Sequence, residues 1–122
     1  MAPESVRIPV QNCLLVVADE RIRDIPDIDR HKAVWSTASC ILVSCMPDSD
    51  GATHVTIGSA KDIIQDGELI FDNPLETPSR KLVVETVLGK KVFQIDVPNS
   101  RTRVRIWTNG IRFTDKVTIG VG

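Results

Sequence analysis

The sequence predicts an all-β domain: an antiparallel β-sandwich of about 8–10 short strands that ends in a C-terminal meander. Three observations carry this. β-branched residues dominate the apolar set. Turn-forming residues recur roughly every 8–12 positions, the cadence of a sandwich or barrel. Two tetrapeptides near the C-terminus, Leu88-Gly89-Lys90-Lys91 and Thr108-Asn109-Gly110-Ile111, are strong hairpin signals.

The chain has 122 residues, 42% of them hydrophobic and 25% charged. That suits one folded domain over residues 1–122, large enough to bury a core without staples. The formal net charge of -1 gives no long-range field for nucleic acid or an anionic membrane, and neither is expected as a partner. The first residues are polar, and the apolar run Cys13–Ala18 is too short to span a bilayer, so a cytoplasmic home is expected. Cys13, Cys40 and Cys45 match no zinc spacing and read as small buried thiols.

Strands are expected at 6–10, 13–18, 39–45, 53–57, 68–71, 81–87, 92–97, 102–108, 111–113 and 116–121. Pro9 puts the first at an edge or a bulge. Residues 19–36 are charged, hold Pro26 and show no clean period. They read as a long connection with room for a short helix around 29–34. Residues 60–67 read as a second irregular piece.

The meander follows from its turns. Gly at the first central position of Leu88-Gly89-Lys90-Lys91 suits a two-residue hairpin that pairs Val87 with Val92, Glu85 with Gln94 and Val84 with Ile95. Taken as a four-residue turn, Pro98–Arg101 sets Asp96 opposite Arg103 and Phe93 opposite Ile106. The Asn-Gly turn sets Ile106 against Phe113 and Trp107 against Arg112. One face then holds Leu82, Val84, Thr86, Phe93, Ile95, Val97, Val104 and Ile106 and is the core. The other carries Val87, Val92 and Trp107 at one end, with Arg103, Arg105, Glu85 and Asp96 at the other.

That outer face is the candidate protein-binding patch: Val87, Val92, Trp107, Arg105, Arg103 and Arg112, since Trp and Arg commonly anchor interfaces. Arg101, Arg103 and Arg105 alternate on one strand, but Glu85 and Asp96 balance them. Asp48 and Asp50, with the acids of 19–29, suggest calcium, yet Pro-Asp-Ser-Asp-Gly is also ordinary turn chemistry and no full calcium-loop pattern is present. His31 and His54 have no nucleophile motif around them. The expectations are no enzyme activity, no cofactor and no metal. The partner is another protein or, by two-fold pairing, a second copy of the chain. A loop-based ligand or calcium module is the alternative.

A hairpin running through FQIDVPNSRTRVRIWTNG to a last strand KVTIGVG, with a Pro-led turn feeding a strand that ends in Trp107-Thr108, resembles the competence protein J family of nuclease inhibitors. The resemblance implies a small sandwich that acts by binding and blocking another protein. It implies no specific binding residues, because the central regions diverge.

Overall fold

The computed structural model describes residues 2–29, 31–110 and 113–122. Ten strands follow in order: β1 (Glu4–Ile8), β2 (Leu14–Asp19), β3 (Val34–Ser36), β4 (Cys40–Ser44), β5 (Thr53–Ser59), β6 (Glu68–Glu76), β7 (Lys81–Thr86), β8 (Lys91–Asp96), β9 (Arg101–Thr108) and β10 (Lys116–Val121). Short 3-10 turns occupy Gln11–Cys13 and Asp48–Asp50. The strands form two sheets, ordered β1-β5-β10-β9-β6 and β3-β4-β2-β7-β8. All neighbours are antiparallel except β5 and β10, which run parallel. The fold class is the expected all-β sandwich. No helix is long and apolar enough to cross a membrane among the described residues.

Alternation builds the core. Leu15 and Val17 of β2, Ile41 and Val43 of β4, Leu82 and Val84 of β7 face inward from one sheet. Val55, Ile57, Val104, Ile106, Val117 and Ile119 meet them from the other. The expected core face of the C-terminal region is correct: Leu82, Val84, Val97, Val104 and Ile106 are core, and Phe93 and Ile95 pack against it half-buried.

The expected meander is not what joins these strands. β8 and β9 do not pair; they lie in different sheets. Residues 68–108 instead form one long hairpin, folded across from sheet to sheet. Its arms pair as β7 with β8 in one sheet and as β6 with β9 in the other. Phe71–Ile106, Leu75–Thr102, Leu82–Ile95 and Val84–Phe93 belong to one continuous register through the fold. The crossing segments bond to each other: Val97 N–H to the Arg80 carbonyl at 3.0 Å and Thr77 N–H to the Ser100 carbonyl at 2.8 Å. The buried Thr77 hydroxyl donates to the Asn99 carbonyl at 2.8 Å and lies 2.9 Å from the Thr102 hydroxyl. Pro98–Ser100 is therefore a corner, not a hairpin turn.

The apex also differs. Gly89 N–H bonds back to the Thr86 carbonyl, and Thr86 N–H to the Lys90 carbonyl. Gly89 has φ 85°, so Val87-Leu88-Gly89 is a three-residue loop closed by a left-handed glycine. Val92 is the extra residue of a bulge between Val84 and Glu85. The expected register is thus displaced by two residues. Parity survives such a displacement outside the bulge, which is why Phe93 and Ile95 face the core as expected while the pairs Val87–Val92 and Glu85–Gln94 do not form; Val92, expected on the outer face, packs against the core too.

Other expectations also change. β3 forms inside the 19–36 connection, where a helix had room, because Val34, Trp35 and Ser36 pair with Val43, Leu42 and Ile41. Ile106 pairs with Ile119, not Phe113; Phe113 is exposed outside any strand. Trp107–Arg112 stacking falls on Arg112, which lies outside the described residues.

Candidate protein-binding surface

The connection 19–36 lies over the outer face of the second sheet and closes a small satellite core of Val16, Ala18, Trp35, Cys40 and Leu42. Several of its polar atoms are used inward. The fully buried Asp19 carboxylate accepts from the backbone N–H of Arg21 (3.0 Å) and Ile22 (2.9 Å) through one oxygen. Through the other it accepts from Ser79 N–H (3.1 Å) and the Ser79 hydroxyl (2.6 Å). Burial alone would raise the Asp19 pKa, but these donors together hold it below the ordinary carboxylate value. Arg23 donates to the Asp19 and Glu20 carbonyls at 2.8 and 3.2 Å and pairs with Glu85. Asp24 is held at both ends: its N–H reaches Ser39 Oγ at 2.8 Å and its carbonyl receives the Thr37 hydroxyl at 2.5 Å. Trp35 Nε1–H closes the return on the Asp29 carbonyl at 2.8 Å.

Anchored at Asp19, Arg23 and Asp24, the loop turns isoleucines to solvent. Ile22, Ile25 and Ile28 are 61%, 62% and 52% exposed. Across from them stands the hairpin apex, where Leu88 is 71% and Val87 38% exposed. Between loop and apex runs a groove of about 310 Å³. Leu14, Val16 and Leu42 line it from the sheet, Ile25 and Ile28 from the loop, and Val87 and Gly89 from the apex. The Arg23–Glu85 pair also lines it. Large exposed apolar side chains on an anchored loop make this the candidate protein-binding surface.

Of the six residues expected to bind protein, the five described ones are split between the β7–β8 hairpin and β9, and Arg112 lies outside the described residues. Val87 lines this groove, while Val92, on the β8 bulge, packs half-buried against the core between the sheets. Trp107, Arg103 and Arg105 belong to β9, on the outer face of the opposite sheet. There Trp107 is only 6% exposed. Gly58 and Gly120 are directly paired on β5 and β10 and leave a dent filled by Ile63 from the 60–67 segment, beside the Trp107 ring. The expected charge partners change too. Arg103 makes a bidentate pair with Asp72 at 2.9 and 2.8 Å, and Asp96 pairs with Lys81. Glu85 is taken by Arg23, and Arg105 donates to the Gly122 carbonyl at 2.9 Å. The signal missed in the sequence was Ile-x-x-Ile-x-x-Ile at 22, 25 and 28, hidden among charges.

The remaining candidates do not assemble. Asp48 and Asp50 sit in the exposed 3-10 turn, while Asp19 is saturated by protein donors. Among the described residues no group of three His, Cys, Asp or Glu is placed to hold a metal ion. His54 lines a groove of about 360 Å³ with Ser5, Thr56 and Lys116, but the Ser5 hydroxyl is engaged with that of Thr56 at 2.8 Å. Burial pushes the thiols of Cys40 and Cys45 up to about 11 and about 12, so neither is a thiolate nucleophile at neutral pH.

The fold places the chain among small β-sandwiches of the kind expected from the sequence. No family model matches it, and no curated protein matches it in sequence. Among solved structures, it is similar to ComJ, inhibitor of the DNA degrading activity of NucA, from Bacillus subtilis. That match has a TM-score of 0.67 at 12% identity over 99% of this chain and 94% of ComJ. It is also similar to the crocagin biosynthetic gene J product, with a TM-score of 0.60 at 15% identity over 99% and 97% of the two chains. At such identities the likeness is one of fold.

Proposed function

We propose that this chain is a non-enzymatic interaction module that binds and blocks another protein, as an inhibitor or immunity-type partner of an enzyme such as a nuclease. The observation that carries the proposal is the exposure of Ile25 and Ile28 along a groove whose other side is Val87 and Gly89 of the apex. Burying a large aliphatic side chain fully is worth about 1.5–3 kcal/mol, so covering even part of this surface supplies useful affinity. The fold likeness to a nuclease inhibitor supports the same class of action. Val87 is the member of the expected binding set that lines this groove. Free thiols at all three cysteines suit a reducing cytoplasm.

The contact is made by side chains and not by strand addition. Every sheet edge is blunted: β1 is flanked by Pro3 and Pro9, and β3 is three residues long. β6 carries Pro74 and a bulge, and β8 begins at Lys91, just after Lys90, beside its own bulge.

The test is affinity capture from the native cell with wild-type chain, Ile25→Asp and Arg105→Glu, followed by an activity assay of the captured enzyme. Wild type and Arg105→Glu should retain the partner and suppress its activity, while Ile25→Asp loses both effects. Loss with Arg105→Glu and retention with Ile25→Asp would place the contact on the β9 face instead.

A further inference from the structure

Cys13 and Cys45 stand at facing ends of β2 and β4, and we infer that they are an oxidation site, which a small-molecule disulfide converts to a reversible internal disulfide. The β2–β4 ladder runs from Ala18 opposite Cys40 to Leu14 opposite Ser44. Its next rung is Cys13 and Cys45, where Cys45 N–H donates to the Cys13 carbonyl at 2.8 Å. Residues opposed in this way lie about 5.5 Å apart at Cα, within the roughly 4.4–6.8 Å that a disulfide spans. The second bond of the rung is not made, because Cys13 N–H turns to the Val10 carbonyl at 3.4 Å. Asn12 and Cys13 have φ 56° and 60°, so β2 starts from a left-handed bend. Cys45 is the fixed member: it bridges to Thr114 and packs in the core. Cys13, at the bend, is the member left to adjust.

The two thiols differ in access. Cys45 is fully buried, and burial, with the nearby Cys13 thiol adding to it, holds its own thiol up at about 12. Cys13 is only half-buried and meets the oxidant first. Cys40 packs in the satellite core, on the other face of the sheet from Cys45. The Cys13 thiolate attacks one sulfur of the oxidant, breaking its S–S bond and releasing one thiolate. The Cys45 thiol then gives up its proton, and its sulfur attacks the Cys13 sulfur of the mixed disulfide, releasing the second thiolate. Two protein thiols are oxidised, the oxidant is reduced to two thiols, and the two protons end on them. Because Cys45 thiolate is scarce at neutral pH, closure is the slow step and quickens as pH rises. The ring so closed, residues 13–45, contains the whole 19–36 connection with Ile25 and Ile28. This goes beyond the proposed function and does not depend on it.

The test treats the purified full chain with oxidised glutathione at pH about 8.5. Thiols counted after unfolding should fall from three to one. The intact mass should show two hydrogens lost and no glutathione retained. Peptide mapping should join Cys13 to Cys45, and dithiothreitol should restore every thiol. Cys45→Ser should stop with one glutathione on Cys13, while Cys13→Ser should gain neither glutathione nor an internal bond. Tryptophan emission should stay that of the folded chain throughout. A wild-type chain that keeps three thiols overturns the inference. So does one that holds glutathione without closing, or that joins Cys13 to Cys40 or to a second chain. A Cys13–Cys45 bond that appears only once the emission has become that of the unfolded chain overturns it as well.

Discussion

Replacing Asp19 by Asn removes one charge and exchanges one acceptor oxygen for a donor, at a site that faces only donors. One carboxylate oxygen serves Arg21 and Ile22 N–H, and the other serves Ser79 N–H and the Ser79 hydroxyl. An Asn carbonyl can replace the first set, which leaves its amide against Ser79. The Ser79 hydroxyl can rotate to accept, but Ser79 N–H cannot. The loss is then one buried N–H bond plus the charge assistance on the remaining bonds, about 2–3 kcal/mol. For a domain of this size that lowers the melting temperature by roughly 10 °C. The pH dependence has a definite sign. Because the folded-state pKa of Asp19 is depressed, its stabilisation is complete above the unfolded value and is lost as pH falls through the folded value. The gap between wild type and Asp19→Asn should therefore be full at pH 7 and shrink as pH falls from about 4 towards 2. Urea titrations and thermal melts at those pH values measure it. A gap below about 0.5 kcal/mol at pH 7 would refute the assigned role. So would a gap that does not change with acid.

Gly120→Ala should also destabilise, by about 1–3 kcal/mol, since its Cβ would lie 2.8 Å from Ile63 Cδ1, 3.0 Å from Trp107 Cζ3 and 3.3 Å from the Ala60 backbone; a changed tryptophan emission should accompany the loss. Thr77→Val keeps shape but removes the hydroxyl at the corner, costing about 1–3 kcal/mol. Hydrogen exchange should then quicken at Val97 and Thr77 while Leu82 stays protected; equal acceleration at all three would contradict a local corner.

Most strands of this protein are legible in its sequence because alternation and turn chemistry are local. The inward faces of β7, β8 and β9 follow from parity, which a two-residue displacement leaves unchanged. Other features were not legible. Pro98–Ser100 looks like a hairpin turn, but whether it reverses a strand or turns a corner depends on Thr77 and Arg80, some twenty residues away. The Trp107 ring looks like a surface anchor until the Gly58–Gly120 dent and Ile63 are brought over it. Ile22, Ile25 and Ile28 read as scattered apolar residues in a charged loop, since only the anchors at Asp19, Arg23 and Asp24 decide which way they face.

The sequence by itself determined that this is a β-sandwich and which side chains of its strands turn inward, because strand periodicity is a property of neighbouring residues. The tertiary structure decided which strands meet and which apolar residues remain outside. Those outcomes depend on long-range bonds, such as Asp19 to Ser79 and Val97 to Arg80, whose partners no local pattern names. The candidate surface is of this second kind: its residues come from stretches well apart in the sequence, and only the fold makes them one groove.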